Sequence, residues 1–140
     1  NGGKEWTKET KNKFLKLIDR PYINRVSFLG GECLAEQNLD EVLSLVKEIR
    51  ISFPEKNIWL YTGFEWERIM YPLVTGIHDP IRDKIIETRK EIIKNVDVLV
   101  DGEYIDNQRD ITLKFRGSKN QRVINVQKSL TFGDIILYCD

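Results

Sequence analysis

The sequence predicts an α/β fold with a mostly parallel sheet flanked by helices, and two observations carry that prediction. Amphipathic and apolar segments alternate in the order helix, strand, helix, strand, helix, strand up to residue 101. The three strand segments, "RVSFL", "IWLYT" and "VDVLVD", are short, rich in β-branched residues and nearly unbroken in apolar character. Parallel strands covered on both faces have that composition.

Each element follows from local signals. Thr7 caps a helix running to about Ile18, with Phe14, Leu17 and Ile18 facing inward. "RPYIN" ends it, and "RVSFL" is the first strand. Asn38 or Asp40 opens the second helix, whose apolar stripe is Leu39, Leu43, Val46 and Ile49. "IWLYT", residues 58–62, is the second strand, followed by Gly63 and a short helical piece, "FEWERIMY". Asp79 then stands as an N-cap with Pro80 at the first helical position. That helix reaches about Lys94 and turns Ile81, Ile85, Ile92 and Ile93 inward. After "VDVLVD", residues 96–101, the chain shows loop signals, then "RVINV" and "DIILYC" as closing strands. The 140 residues form one domain, 1–140, long enough to bury a core.

Composition excludes several classes. The 22 basic and 22 acidic residues balance, so no global field draws in nucleic acid. Without that field, Trp6, Trp59 and Trp66 are packing residues rather than base-stacking platforms. Apolar runs are strand-sized, far short of a membrane span, and nothing near the start has the pattern of a signal peptide. A cytoplasmic protein is expected. Cys33 and Cys139 make no metal-type spacing, so no metal ligand is assigned. His78, at a helix entry, reads as structural, and no catalytic side chain is assigned.

The polar signal lies at the strand ends, where α/β folds bind ligands. The first strand leads to Gly30-Gly31-Glu32, the second to Tyr61-Thr62-Gly63, and the third to Asp101-Gly102-Glu103. Three equivalent endings with glycine beside a polar residue point to one shared site. Glu32, acceptor-only when ionised, suits a ligand ammonium, with the glycine carbonyls as further acceptors. Separately, "KFRGSKNQR" sets Lys114, Arg116, Lys119 and Arg122 around a Gly-Ser turn. Such a loop can grip a carboxylate or phosphate, or dock a partner. Arg116, Asn120 and Arg122 are its candidate contacts.

Taken in order, "NGGKEWT", "GGECL", "KNIWLYTGF", "VDVLVDGEYI" and "RGSKNQRVINV" resemble the radical S-adenosylmethionine activating proteins of anaerobic ribonucleotide reductase, in the glycyl-radical activase family. The resemblance implies a partial (β/α) barrel that binds S-adenosylmethionine at its strand ends. It implies a 4Fe–4S cluster that cleaves this ligand reductively, fed by a reductant such as flavodoxin. The resulting 5′-deoxyadenosyl radical takes a hydrogen atom from a glycine of the reductase large subunit. Gly30, Gly31 and Glu32 match the element that holds the methionyl amino group, and Thr62 and Asp101 fall at strand ends facing the same ligand.

One departure is large. The family's CxxxCxxC cluster loop is absent from this sequence. The expectation is a chain that begins downstream of that loop, lacks the first barrel strand, holds no cluster and is inactive alone. Cys33 stands where relatives have proline and is expected to be a small buried residue. A missing strand would leave a sheet edge that invites a dimer or swapped assembly. The alternative is a non-catalytic interaction module that keeps the barrel and the docking loop. A nucleotide- or phosphate-binding protein of another kind ranks lower, because the glycines fit neither the P-loop nor the dinucleotide fingerprint.

Overall fold

Local capping starts two of the helices as anticipated. In the computed structural model, which describes residues 7–29, 31–73 and 76–139, the Thr7 hydroxyl accepts the Thr10 amide and opens α1, Lys8–Ile18. The Asp79 carboxylate accepts the amides of Ile81 and Arg82 and opens α4, Pro80–Lys94. Between them lie β1 (Arg25–Phe28), α2 (Leu39–Ser52), β2 (Asn57–Tyr61) and the short α3 (Trp66–Met70). After α4 come β3 (Val98–Asp101), β4 (Arg122–Asn125), α5 (Val126–Phe132) and β5 (Leu137–Cys139). Gly30 and Trp6 lie outside the described residues.

The five strands stand in the order β1-β2-β3-β4-β5. The β1/β2 and β2/β3 ladders are parallel, but β3/β4 and β4/β5 are antiparallel, so the sheet is mixed rather than mostly parallel. The reason lies in the 102–121 connection. A parallel successor must be carried back to the opposite end of the sheet. Here the connection closes on its own start: Asn120 Nδ2 donates to the Glu103 carbonyl at 2.7 Å and Gln121 Nε2 to the Gly102 carbonyl at 3.0 Å. β4 therefore enters at the end where β3 leaves.

Strand alternation divides the buried residues between two faces. Val26, Ile58, Leu60, Leu99 and Ile124 join one cluster with Ile18 of α1, Leu45 of α2, Trp66 of α3, Ile92 of α4 and Val126 of α5. Residues of all five α-helices thus share one side of the core. On the other face Trp59, Val98, Val100 and Val123 form a smaller cluster. Side chains rather than helices cover Trp59: Phe115 and Tyr138 set their rings 4.9 and 5.1 Å from it, and the Arg25 guanidinium lies 4.5 Å above it.

Two inward assignments need correction. Leu17 is 63% exposed, while Phe14, Leu15 and Ile18 make the buried stripe of α1. At about 100° per residue, position 17 lies roughly 100° from the centre of that stripe. Ile81 is 76% exposed, because α4 buries residues of its second half, Thr88, Ile92 and Ile93. In α2, Leu39, Val46 and Ile49 are buried as expected, together with Leu45, while Leu43 is only partly covered. Trp59 and Trp66 are core residues. Among the described residues no helix is long and apolar enough to cross a membrane.

One buried cation anchors the entrance to the sheet. Lys56 is buried, and its ammonium donates to the carbonyls of Arg20 (3.0 Å) and Ile23 (2.6 Å). It thereby ties the "RPYIN" turn to the start of β2. Lys56→Met leaves both carbonyls without that donor and should cost about 1–3 kcal/mol. Urea denaturation checks this; an unchanged midpoint and slope would remove the anchoring role.

Candidate functional site

Gly31 turns the chain after β1 with φ at 47°, a left-handed conformation that suits glycine. The turn delivers Glu32 to the end of β2. One carboxylate oxygen, Oε2, accepts the Thr62 hydroxyl at 2.6 Å and the Leu34 amide at 2.9 Å. The other, Oε1, accepts the Gly63 amide at 2.8 Å. A Cβ on Gly63 would stand 3.3 Å from that oxygen, tighter than side chains normally pack, so glycine permits the approach. Thr62 is buried, and its hydroxyl also accepts the Phe64 amide at 3.1 Å. The Glu32 carbonyl in turn holds the Asn38 side chain at 2.9 Å. The structure thus brings Glu32, Thr62 and Gly63 together at adjoining parallel strand ends.

Asp101 belongs to a second cluster. It is 1% exposed, and its carboxylate accepts the amide of Trp66, the first residue of α3, at 2.8 Å. Both of its oxygens also receive Arg122, which stands opposite it in the β3/β4 ladder. The same guanidinium reaches the Glu67 carboxylate at 2.6 and 3.1 Å. The Arg122 bonds hold Glu67 below the usual carboxylate range, and the two carboxylates push Arg122 up. Asp101 and Arg122, assigned from sequence to a ligand site and a docking loop, are therefore bonded to each other.

The rest of the basic loop is held by its amides and hydroxyls. Asn120 Oδ1 accepts the Ser118 hydroxyl at 2.6 Å, and Gln121 Oε1 accepts the amides of Gly117 and Ser118. Arg116 is half-buried, and its Nε is buried without a hydrogen-bond partner among the described residues. Arg89 was not foreseen. Its Nε donates to the Leu34 carbonyl at 2.9 Å while its guanidinium lies 4.7 Å over Phe64, so α4 holds the turn that carries Glu32. Burial lowers the Arg89 pKa, against the opposing pull of Glu36 and Glu32.

His78 sits exposed at the entry of α4, 3.2 Å from the Asp83 carboxylate. The two thiols are on opposite faces of the sheet: Cys33 is in the helix-side cluster, and Cys139 packs beside Trp59 and its neighbours. Among the described residues no group of three His, Cys, Asp or Glu side chains could hold a metal ion.

An α/β domain with its carboxylates gathered at the strand ends is a broad class, and comparison narrows it. The family model described as "4Fe-4S single cluster domain" matches residues 1–124. The chain is 30% identical over 125 residues to the anaerobic ribonucleoside-triphosphate reductase-activating protein of Salmonella typhi, covering 88% of this chain and 71% of that protein. The protein of the same name from Enterobacteria phage T4 is 33% identical over 121 residues, covering 86% of this chain and 65% of its own. That of Escherichia coli (strain K12) is 30% identical over 125 residues, with the same coverage as the Salmonella protein. The chain belongs to the 4Fe-4S single cluster domain family and, within it, to the anaerobic ribonucleoside-triphosphate reductase-activating proteins. No solved structure matches it.

Two outcomes follow from the site. Arg122→Met strands a buried Asp101 carboxylate and should cost about 3 kcal/mol or more, read as a shift of the urea midpoint; a change below about 0.5 kcal/mol, the ordinary surface range, would show that the pair does not hold β3 to β4. Burial, with the Glu32 charge adding to it, pushes the Cys33 thiol from 9.0 up to about 11. The folded state therefore keeps its proton longer than the unfolded state does. The resulting stabilisation is complete below pH 9.0 and is lost as pH rises toward 11. Cys33→Ala should flatten that decline in alkaline denaturation curves. Iodoacetamide at pH 8 should label Cys139 of the folded chain well before Cys33, by mass spectrometry.

Proposed function

We propose that this chain binds S-adenosylmethionine and meets the reductase in the activation of anaerobic ribonucleotide reductase. The activation itself is read as reductive cleavage of that ligand, which generates a glycyl radical on the reductase large subunit. A one-electron donor such as flavodoxin supplies the reductant in this reading, and the setting is the cytoplasm. The observation that carries it is the Glu32 carboxylate. Three protein donors, from Leu34, Thr62 and Gly63, orient it. A carboxylate has about four acceptor positions, so one remains for a ligand ammonium. Because its donors are already in place, the carboxylate needs little reorganisation when the ligand arrives.

The other candidates take supporting roles. Thr62 and Gly63 aim the carboxylate, and Asp101 steadies the β2–α3 link through the Trp66 amide. Gly31 leaves the ligand's approach clear of a side chain, and Gly30, which lies outside the described residues, is assigned to the same element from the sequence. Arg116 and Asn120 lie on the loop assigned to the reductase side, with Arg122 as its inner anchor. Helices gathered on one face of consecutive parallel strands support the partial-barrel reading, since helices ring the outside of such barrels. Iron–sulfur clusters need several thiolates together. Cys33 and Cys139, on opposite faces, do not fit one, and no step through a cluster is assigned to these residues.

Titration calorimetry tests the ligand assignment. S-adenosylmethionine should bind, and Glu32→Gln should weaken it at least tenfold. Methylthioadenosine, which lacks the amino acid, should bind wild type and Glu32→Gln alike. Equal S-adenosylmethionine affinity in both proteins would overturn the role of Glu32. No binding at all, alongside capture of the reductase, would favour the interaction module.

A further inference from the structure

A groove of about 660 Å³ runs between α3, residues 71–73 and the first half of α4, on the helical side of the molecule. Apolar side chains line much of it, including Phe64, Ile69, Ile81 and Ile85. Its rim leaves large apolar groups in solvent: Leu73 is 86% exposed, with Tyr71 and Ile81 exposed beside it. Water-facing apolar surface clustered around a concavity marks an interaction site more often than a scattered exposed leucine does.

The charges along the groove are equal in number but unequally engaged. Arg68, Arg82 and Arg89 line it, and so do Glu36, Glu67 and Asp79. Two of those carboxylates are already engaged: Glu67 is held by Arg122, and Asp79 accepts the first amides of α4. On the cationic side, Arg89 uses only its Nε, on the Leu34 carbonyl. Among the described residues, the guanidinium groups of Arg68 and Arg82 make no ion pair or hydrogen bond, although the Arg82 amide donates to Asp79. The groove therefore presents guanidinium groups with hydrogen-bond donors to spare above an apolar floor, with the Glu36 and Asp79 carboxylates beside them.

We propose that this groove docks an acidic, amphipathic segment of the partner reductase, holding it by apolar side chains in the cleft and carboxylates on Arg68 and Arg82. The proposal rests on the reading that the reductase is the partner. Arginine suits such a contact because its planar fork pairs with carboxylates in two bonds and stacks on apolar surface. Glu32 does not line the groove, so docking leaves the ligand site free.

The test uses the activating protein and its cognate reductase in biolayer interferometry. Arg82→Glu and Leu73→Ser each change an exposed side chain, and thermal melting confirms that both variants fold. Each should weaken reductase binding at least fivefold, and the pair at least twentyfold, with S-adenosylmethionine affinity unchanged. Raising NaCl from about 50 to 300 mM, which shortens the screening length, should weaken wild type more than Arg82→Glu. Wild-type affinity in the double variant overturns the groove while leaving the reductase as partner. Failure of wild type to bind the reductase overturns the underlying reading and the groove with it. Photocrosslinking from Leu73→p-benzoylphenylalanine reads the occupant directly. A captured reductase peptide rich in Asp and Glu supports the proposal, and a neutral or basic peptide overturns it.

Discussion

The Glu32 carboxylate is the interaction on which the strand-end architecture depends. A half-buried carboxylate is stable only where donors replace the water it has lost. Here those donors are the Leu34 amide in its own turn and the Thr62 hydroxyl and Gly63 amide on the next strand. The same bonds that orient the Glu32 carboxylate therefore fix the spacing between the ends of β1 and β2. Arg89 extends the constraint into the helical layer by holding the Leu34 carbonyl. The turn is thus gripped from both sides, by the sheet and by α4.

A second charge cluster does for the antiparallel half what Glu32 does for the parallel half. Asp101 and Arg122 are opposed in the β3/β4 register, so their bond forms only when that register is correct. A slip of β4 by one residue would turn Arg122 to the face away from Asp101. Glu67 adds α3 to the cluster, and the Trp66 amide brings in the start of that helix. One buried carboxylate thereby couples β3, β4 and the chain leaving β2. A buried pair of this kind adds less net stability than specificity of arrangement, which is what a mixed sheet needs at its point of reversal.

Much of this was legible in the sequence where the cause is local. The caps at Thr7 and Asp79 are read directly, because a cap bonds within a few residues. The glycine and acidic endings of the strands were visible too, and Glu32, Thr62 and Gly63 do meet. What could not be read is which strand end pairs with which. Asp101 and Arg122 are 21 residues apart, and no pattern in "DGEYIDNQRD" announces that the intervening chain turns back on Gly102. That same fold-back reverses β4, which the apolar composition of "RVINV" cannot distinguish from a parallel strand. Arg89 gave no signal at all, since an arginine on an amphipathic helix ordinarily faces water. Leu17 and Ile81 show the converse error: apolar residues on the helix that the sheet does not reach.

The 102–121 connection shows how far such tertiary control extends. Phe115 holds φ at 68°, in a region where a bulky side chain is disfavoured. Backbone of that kind persists only when its surroundings over-determine it. Its ring packs on Trp59, whose other neighbours are Tyr138 and the Arg25 guanidinium. Those contacts bury Trp59 to 2% exposure on the face opposite the helix-side cluster. The connection is therefore pinned at two places, by Phe115 on the sheet and by Asn120 and Gln121 on the end of β3. Arg116 stands between the two pins. Its position is set by the covering of Trp59 and the closing of the β3 end, neither of which involves its own charge. A basic loop placed this way presents its cations on a framework built by aromatic and amide contacts. That arrangement spares the Arg116 charge from having to hold the loop in place.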